Sequence, residues 1–372
     1  MQVIRDHDGT ITSITLRRIS NFHAHLRRDA MMRAISRHIM RHVLYLLVMP
    51  NAGPIRTMEE AIAHHDELME YAKREGFDRL KLLMTLYHTR DITPAVIEQI
   101  AKSSVVYAVK HYPSEPGLTT GSGGGAPLEE SDEMLCAMED TGVPLLGHFE
   151  LGYDKYNVKL DPLLGEATMV KEKLWRLRDR HPRLKICFEH ISTIEGIEWV
   201  KADTSGNTVA TITPHHPLLN HNDIKTVGED ALCKPILQTP ENQFGTAEFM
   251  VSGDPRAISG NDSAGHPSKM KYVTGARPAY GCFLTEQSVP FYASVFIKHG
   301  AMDQRFENFM SLNGPRWWGL PPPDDNDTIT IVKSDDDMPE PVQVPEMDDV
   351  VVPLGWKPNP VERIHVGYAV QE

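Results

Sequence analysis

Asn21-Phe22-His23-Ala24-His25-Leu26-Arg27 closes the first long apolar segment of the chain. In an extended strand successive side chains point to opposite faces, so residues two apart share a face. His23, His25 and Arg27 therefore stand on one side of a strand end, two imidazoles able to ligate one metal ion with a guanidinium beside them. In a chain with 18 histidines among 372 residues, His-x-His alone is a modest signal. Its weight comes from what later segments carry at the same end.

Strand-like apolar runs recur over 14–26, 43–50, 80–87, 105–112, 143–150, 184–191, 208–214 and 257–262. Amphipathic stretches such as 57–74 and 165–180 lie between them, and Thr57 followed by Glu60 is a capping-box signature for a helix start. Alternating strands and helices imply right-handed βαβ units and a parallel sheet. Eight strands over roughly 250 residues predict an α/β fold, a (β/α)8 TIM barrel, with its active site at the C-terminal strand ends. We place the barrel over 1–320 and a Pro- and Asp-rich C-terminal extension, packed on it, over 321–372.

The formal net charge of −13 argues against a nucleic-acid binder, which needs clustered Lys and Arg. Cys136, Cys187, Cys233 and Cys282 are scattered, which fits neither a disulfide framework nor a zinc ribbon and points to a reducing compartment. The N-terminus carries no secretory pattern, and no apolar stretch approaches the roughly 18–20 residues of a membrane span. A cytoplasmic protein without membrane contact is the expectation.

The strand ends carry a chemical pattern. The first ends in His23 and His25, the fourth in Lys110-His111-Tyr112, the fifth in His148-Phe149-Glu150, the sixth in Glu189-His190 and the eighth in Asn261-Asp262. Four histidines, a lysine and an aspartate at five strand ends can form two overlapping metal sites if Lys110 takes up carbon dioxide. The carbamate is a bidentate anion able to bridge two cations, and it forms only from the neutral amine. Other features stay structural: His64-His65 sits in a helical pattern and His215-His216 follows a strand, one of the latter near the site. The glycine run 121–125 lacks the Lys-Ser/Thr of a P-loop and reads as a loop that could cover the site. Trp317-Trp318 packs the C-terminal segment onto the barrel.

On these motifs the chain resembles the amidohydrolase superfamily and, within it, the bacterial single-enzyme dihydroorotase family. The resemblance also rests on Met49-Pro50-Asn51, Phe188-Glu189-His190-Ile191-Ser192-Thr193, Lys234-Pro235-Ile236-Leu237 and Asn261-Asp262-Ser263-Ala264-Gly265-His266. It implies a cyclic amidohydrolase interconverting N-carbamoyl-L-aspartate and L-dihydroorotate in de novo pyrimidine (UMP) biosynthesis. Two zinc ions per subunit are implied, one on His23, His25 and Asp262, the other on His148 and His190, with Lys110 as N6-carboxylysine bridging both. Asp262 would be the catalytic proton carrier. Arg27, Asn51 and His266 would hold the substrate carboxylate, the Lys234 backbone the ring edge, and Thr119 and Thr120 would close over the substrate, with a further contact near Ala279 or Tyr280. A homodimer acting on a small-molecule substrate is the expected state.

The chain departs from the family pattern at Gly265, where proline is expected, at Asn261, where threonine is usual, in the longer 114–127 loop and in 274–281. These positions concern substrate recognition. They leave two alternatives open: a hydantoin- or ureide-type cyclic-amide hydrolase, or a non-catalytic homologue serving as a structural partner.

Overall fold

The computed structural model describes residues 1–51, 53–115, 118, 125–335 and 338–371. Eight parallel strands follow one another round a single sheet: β1 Ile19–Ala24, β2 Val43–Val48, β3 Lys81–Tyr87, β4 Val106–His111, β5 Leu145–Gly147, β6 Ile186–Phe188, β7 Thr208–Ile212 and β8 Ala257–Ser259. β1 and β2 are buried along their whole length. Strands covered on both faces favour continuous apolar runs, and Val43–Val48 is such a run, whereas β1 buries Ser20, Asn21 and His23 among its apolar residues. Chain neighbours are sheet neighbours throughout, and the register sets Lys110 beside Leu146 and Leu146 beside Cys187.

Closure joins the first strand to the chain beyond the last. The His25 amide donates to Ser263 O at 3.0 Å and the Asp262 amide to His23 O at 2.9 Å, while Ser259 Oγ donates to Ser20 O at 2.7 Å. Phe22, Leu47, Leu83, Leu146, Val209 and Ile258 fill the barrel interior. Trp318 stacks on Phe22 at 5.9 Å to form the floor, and Tyr45 donates to Pro321 O at 3.0 Å, so the tryptophan pair does fasten the C-terminal segment to the barrel.

Helices cover the outside. Met58–Arg74 begins with the capping box, Thr57 accepting from the Glu60 amide and Glu60 from the Thr57 amide. The stretch 165–180 is helical throughout, but a π-helical turn at Val170–Leu174 interrupts it.

One expectation needs correction. The run 14–26 is two strands, because at Arg18 the backbone leaves the barrel and its amide donates to Asp327 O at 2.6 Å. The first of them, Ile11–Arg17, lies in a separate antiparallel sheet with Gln2–Arg5 and Thr328–Lys333, the latter pairing with Tyr368–Val370. Buried Glu307 anchors this sheet by accepting from the Arg17 amide at 3.0 Å and from the N-terminal amine at 3.3 Å. Among the described residues no helix is long and apolar enough to cross a membrane.

Candidate metal centre and substrate pocket

His23, His25, Lys110, His148, His190 and Asp262 are all buried at the C-terminal mouth of the barrel. Alternation along β1 carries His23 and His25 to one side, as the pattern predicts. Their Nε2 atoms lie 3.4 Å apart and 3.2 and 2.9 Å from Asp262 Oδ1. His148 Nδ1 lies 3.0 Å from His190 Nε2. Donor atoms about 2.0–2.1 Å from a tetrahedral ion stand roughly 3.3 Å from one another, so both groups have the spacing of a ligand set.

The second nitrogen of three of these rings is already engaged. His23 Nδ1 bonds to Glu189 Oε2, which also accepts from Thr211 Oγ1 at 2.7 Å. His25 Nδ1 bonds to Asn51 Oδ1 at 2.5 Å, and His148 Nε2 to Glu150 Oε2 at 2.9 Å. Each oxygen takes the ring's proton and leaves a lone pair facing the centre, the outer arrangement that metal-bound histidines need. Burial holds His25 neutral, lowering its pKa to about 4 against the pull of Asp262, and lowers His148 and, further, His190. His23 goes the other way, since the Glu189 and Asp262 carboxylates outweigh its burial.

Lys110 provides the sharpest test of fit. Its Nζ is fully enclosed and has no hydrogen-bond partner among the described residues. Burial lowers its pKa although Glu189 and Asp262 oppose the shift, which favours the neutral amine that carbamate formation requires. An unpartnered buried amine among six such groups suits a bound metal cofactor, and the donor set fits one.

Two of the candidate ligands sit in strained backbone. His190 has φ 43° and Asp262 φ 50°, in the left-handed region that costs a non-glycine residue about 1–2 kcal/mol. The surroundings hold them there. The His190 amide donates to Thr211 Oγ1 at 2.7 Å, and buried Glu166 pins the following turn by accepting from the Ser192 and Thr193 hydroxyls at 2.7 and 2.6 Å.

Beside the ligands the pocket is lined by Arg27, Asn51, Tyr112, Lys234, Ala264, His266, Tyr280 and Gly281. Arg27 donates through Nε to Gly265 O and through Nη2 to His266 Nε2, both at 3.0 Å. Burial and the neighbouring guanidinium push the His266 pKa down to about 2, so the ring stays neutral. The structure thus brings Arg27, Asn51, Lys234 and His266 together at the ligands. Ala279 does not line the pocket: its amide is spent on Met270 O at 2.9 Å, and the next two residues form the wall. An irregular segment gives no period by which the sequence could fix that register. Thr119 and Thr120 lie outside the described residues.

Sequence reasoning assigned no role to Glu150, Glu189 or Tyr112. Glu150 stands two residues beyond His148, the same-face spacing already used for His23 and His25, and that spacing could have found it. Tyr112 stacks on Tyr87 at 5.0 Å, and its buried hydroxyl has no hydrogen-bond partner among the described residues. Burial raises its pKa well above 10, so it remains a proton donor facing the ligands.

No protein-family model matches the chain. A curated dihydroorotase from Agrobacterium fabrum is 34% identical over 357 residues, which cover 93% of this chain and 99% of that protein. Among solved structures, dihydroorotase from Campylobacter jejuni superposes with a TM-score of 0.78 at 25% identity, over 97% of this chain and 98% of that one. Saccharomyces cerevisiae dihydroorotase in complex with 5-fluoroorotic acid shares the fold with a TM-score of 0.84 at 24% identity, over 97% and 98% of the two chains. The likeness extends over the barrel and the flanking sheet alike, and at 34% identity over nearly the whole of both chains the chain belongs to the dihydroorotase family.

Proposed function

We propose that the protein is a two-zinc dihydroorotase that hydrolyses L-dihydroorotate and, in reverse, closes N-carbamoyl-L-aspartate into the ring. The observation that carries this reading is the meeting of two residue sets in one pocket: five of the six metal-ligand candidates line it together with the Arg27–Asn51–His266 group, and the sixth, Lys110, is buried against the lining residue Tyr112. A carboxylate beside a cyclic amide is the substrate shape that such a pair of sets accepts.

His23, His25 and Asp262 would hold one zinc and His148 and His190 the other, with Lys110 carbamylated between them. Bound there, the pair supplies an acidified water and a polarised carbonyl. Arg27 offers a planar fork to the substrate carboxylate, held in place by its bonds to Gly265 O and His266. Asn51 accepts from His25 through Oδ1, which leaves its amide nitrogen for the same carboxylate. Asp262 takes a proton from the attacking water and returns it to the ring nitrogen as the C–N bond breaks. Ring closure runs through the same groups in reverse. A cytoplasmic homodimer completes the proposal, and sedimentation would test the dimer.

Zinc-loaded protein should turn over L-dihydroorotate, with loss of the ring chromophore and appearance of N-carbamoyl-L-aspartate. Failure to do so with two metals bound per chain would refute the assignment, and turnover of a hydantoin in its place would move it to the related cyclic amides.

A further inference from the structure

Three parts of the proposed substrate need recognition: the carboxylate, the attacked carbonyl, and the urea carbonyl on the far side of the ring nitrogen. Arg27, Asn51 and His266 serve the first, and the metal ligands flank the second. Among the described residues one charged donor lining the pocket remains, the Lys234 side chain. It is 10% exposed, and its Nζ lies 3.6 Å from Glu150 Oε1 and 5.4 Å from the centre of the Tyr280 ring.

Glu150 is not a surface partner. Its side chain is 1% exposed, its Oε2 engages His148, and its Oε1 has no hydrogen-bond partner among the described residues. A Cβ at Gly165 would stand 2.7 Å from Glu150 Cγ, so packing fixes the carboxylate from behind. Lys234 is thereby held on the His148 side of the pocket, whereas Arg27 is held at Gly265 and His266.

We infer that the Lys234 ammonium binds the urea carbonyl oxygen of the substrate and stabilises the ureido leaving group. The inference rests on the dihydroorotase reading and adds a side-chain contact to the backbone contact expected at this residue. In hydrolysis the water oxygen bonds to the ring carbonyl carbon, and the C–N bond breaks with its electron pair going to nitrogen. One water proton reaches that nitrogen through Asp262, and the other is lost as the new carboxylic acid ionises. While the pair develops on nitrogen it is shared with the urea oxygen, where a fixed cation lowers its energy. In ring closure the same cation makes the ureido N–H more acidic and the nitrogen easier to deprotonate.

The test compares zinc-loaded wild type with Lys234→Met and Lys234→Arg on dihydroorotate and on its 2-thio analogue, in which sulfur replaces the urea oxygen. Lys234→Met should lower kcat/KM for dihydroorotate by roughly 10²–10³-fold. Both directions should fall equally, because the equilibrium is not the enzyme's to change. The thio analogue, a poor acceptor for an ammonium, should lose much less, so the oxygen-to-sulfur preference should collapse at least tenfold. Lys234→Arg, which keeps a cation, should retain that preference. A loss of activity with an unchanged preference would overturn the inference, since it would mean that Lys234 acts only through Glu150 and packing. Unchanged activity would overturn it too. If Lys234→Met does not fold, Lys234→Gln keeps a neutral donor beside Glu150 and is judged by the same preference. Wild-type protein that binds two metals yet does not hydrolyse dihydroorotate would fail the parent reading, whereas a null result in the variants leaves that reading intact.

Discussion

Gly281→Ala would test the pocket wall most directly. Gly281 has φ 145°, and a Cβ built on it would stand 2.5 Å from Ala264 O and 2.8 Å from Ala264 Cβ. Real Cβ contacts below 3.0 Å are essentially never seen, so the wall must move by at least about 0.5 Å. Both obstructing atoms belong to or adjoin the backbone, two residues from Asp262 and His266, and cannot rotate away. The moving segment is tied on its other side, because the Gly281 amide donates to Leu232 O at 2.8 Å and Lys271 Nζ donates to Gly281 O at 2.6 Å. Strained backbone of this kind costs about 1–3 kcal/mol. A displacement approaching 1 Å at a reacting centre costs on the order of a hundredfold in rate. We expect Gly281→Ala to lower Tm by several degrees and kcat/KM by roughly ten- to a hundredfold, with metal content unchanged. Steady-state kinetics, thermal unfolding and metal analysis on one preparation would decide. Wild-type kcat/KM with wild-type Tm would show that the wall is softer than the packing implies.

Other expectations concern separate parts of the molecule. Glu189→Gln keeps the shape but weakens the acceptor that fixes the His23 ring, and should reduce metal affinity about 10- to 100-fold in a chelator competition; undiminished affinity would count against that role. Arg27→Lys should raise KM roughly ten- to a hundredfold with a smaller change in kcat, since a point charge replaces a fork, and an unchanged KM would remove Arg27 from carboxylate binding. Arg17 and Gln304 hold the Glu307 carboxyl at about 2 against its burial, from an ordinary 4.5. Its contribution to stability is therefore present above about pH 4.5 and is lost as pH falls toward 2. In Glu307→Gln that part of the acid dependence of chemical denaturation should vanish; an unaltered acid limb would assign it to other carboxylates.

The barrel was legible because most strands are buried on both sides and read as largely apolar runs, β2 Val43–Val48 being the plainest. The same cue misled at 14–26, where two runs abut: only the Arg18–Asp327 contact, more than 300 residues apart in sequence, separates them. The π turn at Val170–Leu174 was invisible because it leaves the apolar stripe intact. At the site, the six residues that the barrel gathers at its mouth were marked by strand-end spacing. The Glu189 oxygen was not, because its carboxylate and the His23 ring it holds come from strands on different parts of the chain. Of the two residues considered in 274–281, Tyr280 lines the pocket and Ala279 does not, a register that no periodicity sets there. Thr119 and Thr120 fall outside the described residues.

The seam of the barrel bears on how the protein is born. His23 and His25 leave the ribosome early, but Asp262, the group they meet in the closed barrel, arrives only after all eight strands have been made. Until the Asp262 amide reaches His23 O and the His25 amide reaches Ser263 O, the His23–His25 pair lacks the carboxylate that stands 2.9 Å from His25 Nε2 in the closed barrel. Domains assemble from the N-terminus as they emerge, and distant partners meet last. On the proposed ligand set, full metal loading would therefore report that the ring of strands has shut, and a chain stalled short of its eighth strand would lack Asp262.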